Sequence, residues 1–109
     1  MRRLALAALS FFALQGNEAG RHASRGVALL EQFRFAEAAA EFEEVVRLAP
    51  GSGPGYVNLG IAYFNERDFE KSRAALERAL VLIPESPYVH YNLGLIDKLQ
   101  GETESAVVA

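Results

Sequence analysis

The chain has 109 residues, room for one domain, with half of them hydrophobic and a net charge of −3. It has no Cys, which excludes disulfides, thiolate metal sites and a Cys nucleophile. Its cations are interspersed with carboxylates (Glu66-Arg67-Asp68, Glu70-Lys71, Glu77-Arg78), a solvated-surface pattern rather than the clustered basic face of a nucleic-acid binder.

Arg2 and Arg3 precede Leu4 to Leu14, eleven residues without a charge. That run is too short for a membrane span of about 20 residues. It fits the hydrophobic core of a secretory signal, with small residues for cleavage after Ala13, Gly16 or Ala19 and no Cys for a lipoprotein anchor. The expectation is therefore an exported chain, periplasmic or secreted, with residues 1–18 as leader. The alternative is that this stretch is a truncated helix of the array that follows, in a cytoplasmic protein. Such a helix would need a polar face, and this stretch has almost none.

Gln15 to Gly20 reads as a short polar linker. A first helix is predicted from about Arg21 to Gln32, with Ala23, Gly26, Val27, Leu29 and Leu30 as its apolar stripe. A second is predicted from about Ala36 to Leu48, with Ala39, Phe42, Val45, Val46 and Leu48 inward. Glu37, Glu41 and Glu44 form an expected exposed acidic row, at a spacing where like charges repel slightly. Pro50 cannot continue that helix, and Gly51 and Gly53 permit the turn. Pro54 then sits near the first helical position, with Ser52 or Gly53 as cap. Tyr56, Leu59, Gly60 and Tyr63 carry the helical period up to Phe64. After the polar turn Asn65-Glu66-Arg67-Asp68, the residues Phe69, Leu76, Ala79, Leu80 and Ile83 carry it again. Ser86 and Pro87 mark another start. A helix from Pro87 to about Gln100 is expected to turn at Gly101 and leave Thr103 to Ala109 for a last helix of at most two turns, frayed at its end.

The chain repeats itself at 34 residues. Gly60 falls on Gly26, Phe69 on Phe35, Leu76 on Phe42, Ala79 on Val45 and Pro84 on Pro50. In the other direction, Asn58-Leu59-Gly60 falls on the identical Asn92-Leu93-Gly94, Tyr56 on His90 and Ser72 on Ala106. Helix–turn–helix units of this period mark the tetratricopeptide family, which the chain resembles from about Ala19 to Ala109, in units of 19–52, 53–86 and an incomplete 87–109. The resemblance implies an all-α, right-handed solenoid of antiparallel helix pairs, about two and a half repeats long. First helices would line a concave groove and second helices the outside. Leu59, Tyr63, Leu76, Leu80 and Leu93 become stacking core, and Gly26, Gly60 and Gly94 places of close helix approach.

The sequence departs from the family pattern in places. The turn within a repeat favours Gly; Gly101 keeps it, but Phe33 and Arg67 replace it, which demands another turn geometry or some strain. Arg25 stands where Leu59 and Leu93 stand elsewhere. Asp97 replaces Tyr63, as a paired or solvent-edge carboxylate rather than a catalytic one.

By the same resemblance the inner face carries Ala23, Val27, Leu30 and Glu31, then Val57, Asn58, Ile61, Phe64 and Asn65, then Tyr91, Asn92, Leu95, Lys98 and Leu99. That mixture suits an extended peptide or a helix of another protein, with Asn58 and Asn92 bonding its backbone. The competing reading is that these amides brace their own helices. Capture of a terminal carboxylate, known in chaperone-binding members, lacks its cations here, since the matching positions hold Ala23 and Tyr88.

Neither His22 nor His90 lies in metal-ligand spacing, Ser24, Ser72 and Ser105 have no nucleophile-elbow context, and the Gly51–Gly55 stretch lacks the Lys-Ser/Thr of a phosphate loop. The expectation is a non-catalytic protein-binding scaffold without metal, cofactor, nucleic acid or membrane span. Two alternatives accompany it. One is the N-terminal part of a larger exported protein or enzyme; the other is a homodimer joined through apolar surface at the open C-terminal end.

Overall fold

The computed structural model describes the backbone of residues 18–108 and the side chains of 18–102. The leader expected over 1–18 lies outside them, apart from residue 18. Five helices follow one another: α1 (18–31), α2 (Phe35–Leu48), α3 (Gly53–Asn65), α4 (Phe69–Leu82) and α5 (Pro87–Val108). Among the described residues there is no strand. Each helix packs on its sequence neighbour, and α5 also reaches back to α3.

The 34-residue pattern is realised as packing. Phe42 and Leu76, at matched positions, are fully buried, and each lies over the glycine of the preceding helix. A Cβ built on Gly26 would stand 2.5 Å from the Phe42 ring, and one on Gly60 2.7 Å from Leu76 Cγ. Only glycine lets those side chains seat so close to the backbone. Around them Ala38, Ala39, Val45, Leu59, Ala62 and Ala75 make one core cluster, with Ala23, Leu29 and Leu30 of α1 packed against it. Val57, Ala79 and Val89 begin a second cluster, which joins α3, α4 and α5. Buried Ser72 sits at the α3–α4 contact and donates its hydroxyl to the Gly60 carbonyl at 2.7 Å.

The start signals are used as chemistry. Ser52 is the cap of α3, its side chain accepting from Gly55 N at 3.0 Å, and Asp68 caps α4 by accepting from Lys71 N at 3.2 Å. Both within-repeat turns close on a residue in the left-handed region, Phe33 with φ 60° and Arg67 with φ 64°. The bonding is that of a Schellman cap: Arg34 N to Leu29 O with Phe33 N to Leu30 O, and Asp68 N to Tyr63 O with Arg67 N to Phe64 O. A side chain in that region costs about 1–2 kcal/mol.

Two expectations are corrected. The turn at Gly101 is not made, and α5 runs unbroken for 22 residues. Continuing the helix keeps a backbone hydrogen bond per residue, whereas turning at Gly101 would forfeit several of them for the little area that Thr103–Val108 could bury. The acidic row is not uniformly exposed either. Glu37 pairs with Arg34 and Glu44 with Arg47 on the surface of α2, but Glu41 turns into the α1 contact. There it meets His22 Nδ1 at 2.6 Å and Arg25 at 3.6 Å, with 21% of its side chain exposed. That pairing accounts for Arg25 where the other repeats carry Leu.

Candidate protein-binding groove

A hollow of about 360 Å³ opens between α3 and the start of α5. Pro54, Val57, Asn58 and Ile61 line it from α3, Ile83 and Ser86 from the corner after α4, and Tyr88 from α5. The helical period puts these α3 residues on one face. Val57 is nearly buried because it also belongs to the α3–α4–α5 core, and Ile61 packs on the same cluster. The floor of the hollow is thus held by the packing that stacks the helices. At the corner, His90 Nε2 donates to the Pro84 carbonyl at 2.8 Å and ties α5 to the end of α4.

The amides divide. Asn92 donates to the Tyr88 carbonyl at 2.7 Å and Asn65 to the Ile61 carbonyl at 2.8 Å, each bracing its own helix. Asn58 lines the hollow and makes no side-chain hydrogen bond to any described residue. Its donor and acceptor are both left to whatever enters.

Of the expected groove residues, Val57, Asn58 and Ile61 meet at the hollow. Phe64 lies further along α3, edge-on to Phe69 with centroids 5.5 Å apart. Tyr91, Leu95 and Lys98 continue along α5 outside the hollow, Tyr91 being 67% exposed and Leu95 half-buried. Sequence reasoning missed Tyr88 as a wall of the hollow, although a shift of 34 puts it on Pro54, which lines the opposite side.

Elsewhere the electrostatics is structural. The Tyr63 hydroxyl donates to Glu43 at 2.5 Å, and burial, with that carboxylate second, pushes its pKa far above the ordinary tyrosine value. The hydrogen bond from Arg47 lowers the pKa of Glu44. Asp97 accepts from Arg73, a surface pairing between α5 and α4. Among the described residues no cluster of three His, Cys, Asp or Glu is placed to hold a metal, and no helix is long and apolar enough to cross a membrane.

The tetratricopeptide repeat family matches over residues 29–107. The chain is 33% identical over 86 residues to Superkiller protein 3 of Schizosaccharomyces pombe, across 79% of this chain and 6% of that protein. It is 31% identical over 77 residues to protein O-mannosyl-transferase TMTC1 of Mus musculus, across 71% of this chain and 8% of that protein. The chain therefore spans less than a tenth of the length of either relative.

Proposed function

The chain belongs to the tetratricopeptide repeat family, and we propose that it is a non-catalytic protein-binding module whose hollow between α3 and α5 takes an apolar side chain of a partner's peptide segment. Repeats of this family generally mediate protein–protein interaction. The observation that carries the finer reading is the conjunction of an apolar hollow with one unengaged amide. At about 360 Å³ the hollow is at the small end of ligand pockets, which run from roughly 300 to 1,000 Å³. It suits one large side chain. Asn58 would accept a peptide N–H and donate to a peptide carbonyl beside that anchor. Tyr88 and Tyr91 extend an aromatic surface of the kind enriched at interfaces. Export to the periplasm or beyond rests on Arg2, Arg3 and the apolar run to Leu14.

Selection of displayed peptides on the chain tests this reading. Wild type should return sequences that share one large apolar residue, and Ile61→Lys with Asn58→Ala should lose them while helicity by circular dichroism stays unchanged. Peptides without a common anchor, or equal binding to the double variant, would overturn it.

A further inference from the structure

The three glycines at 34-residue spacing are not equivalent. Gly26 lies under Phe42 and Gly60 under Leu76, whereas nothing stands within 4 Å of a Cβ on Gly94, and Gly94 itself is exposed. The notch that two helices have filled is open on the third. The residues beside it differ as well. Around Gly60 stand Tyr56 and Tyr63; around Gly94 stand His90 and Asp97. The aromatic borders of the covered face have become polar ones, so the face of α5 is suited to water when nothing covers it.

We propose that this face of α5 is a docking site for an amphipathic helix supplied by another polypeptide, seated as α4 sits on α3, with a large apolar side chain in the Gly94 notch. The two occupied copies specify the occupant. Each covering helix carries Phe or Leu with a small residue four positions earlier, Ala38 before Phe42 and Ser72 before Leu76. In the α3–α4 pair, Lys71 precedes that small residue and lies over the Tyr63 ring, 5.6 Å from its centroid. Asp97 takes the place of Tyr63, and its side chain is 66% exposed although it pairs with Arg73. A cation at the Lys71 position of an incoming helix would therefore meet a carboxylate. The recognised pattern is Lys or Arg, then Ala or Ser, then Phe or Leu four residues on.

A second copy is a poor source. The helices of this chain that carry such a side chain, α2 and α4, hold Phe42 and Leu76 fully buried inside their own hairpins. Releasing either one would open the core. A foreign helix meets no such cost, and the polar border fits one that associates reversibly.

The test uses a synthetic peptide of sequence 68–84, which keeps the Asp68 cap, added to the full chain. The expected result is saturable binding, with amide shifts centred on Gly94 by nuclear magnetic resonance. Gly94→Leu, which fills the notch where this chain has free space, should weaken binding at least tenfold. The peptide change Leu76→Ala should do the same, and Lys71→Glu should weaken binding several-fold. Because Gly60 is untouched in Gly94→Leu, loss in that variant separates docking on α5 from exchange with α4. No binding at millimolar peptide, or equal affinity for Gly94→Leu, overturns the proposal. Concentration-dependent self-association that Gly94→Leu abolishes would also overturn it, in favour of a second copy as the occupant.

Discussion

The hairpins made by α1 to α4 and the long helix α5 began from similar sequence and ended differently. In the hairpins, Phe33 and Arg67 occupy a turn position that disfavours side chains, and the chain turns there anyway. In α5, Gly101 offers the most permissive residue, and the helix runs through it. The difference lies in what comes next. After Phe33 and Arg67 come fourteen-residue helices whose Phe42 and Leu76 bury completely. Burial of a side chain of that size contributes about 1.5–3 kcal/mol, and each helix buries several more. That exceeds the roughly 1–2 kcal/mol of a left-handed residue. Beyond Gly101 the described helix runs only to Val108. Packing across the hairpin, not turn propensity, decides where this chain folds back.

The comparison breaks most visibly at the side chains that fill the notches. Phe42→Ala should cost about 3–5 kcal/mol and Leu76→Ala about 2–5 kcal/mol in urea denaturation, since both are fully buried. Losses under 1 kcal/mol would mean that the hairpins are not held by these contacts. The glycines sharpen the contrast by sign. Gly60→Ala drives a methyl against Leu76 and should destabilise by about 1–3 kcal/mol. Gly94→Ala meets nothing and should stabilise α5 by about 1 kcal/mol. Equal effects from the two would erase the distinction between filled and open notches.

The turns come next. Phe33→Gly and Arg67→Gly should each raise stability by about 1 kcal/mol by relieving a left-handed side chain, again read from the urea midpoint. The gain should be smaller at Arg67, whose guanidinium lies 5.6 Å over Phe69. A loss in both would show that these side chains hold the turns in place. The smallest expected effect is alkaline. Because the Tyr63 pKa is raised in the folded chain, its contribution is complete below the unfolded value of about 10 and is lost as pH rises above it. Between about pH 10 and 12 the wild type should therefore lose more stability than Tyr63→Phe does. Parallel pH curves would remove Tyr63 as the cause.

Much of this was legible in the residues alone. The 34-residue spacing marked Phe42, Leu76 and their glycines as matched positions, and Pro50, Ser52, Pro84 and Pro87 marked helix ends to within a few residues. The reason is that helix formation and capping are local, set by bonds between residues three to five apart and by an apolar period that one chain segment carries by itself. The candidate site was legible only in part: Val57, Asn58 and Ile61 were marked as inner-face residues, but Tyr88 was not. The tertiary structure decided what depends on a distant partner. It set Glu41 on His22 rather than in water, left Asn58 unengaged while Asn92 bonds to its own helix, brought Tyr88 opposite Pro54, and carried α5 through Gly101. Each of these outcomes turns on what stands across a helix–helix contact, and a period in the sequence says that a neighbour is needed without saying which atoms of it arrive.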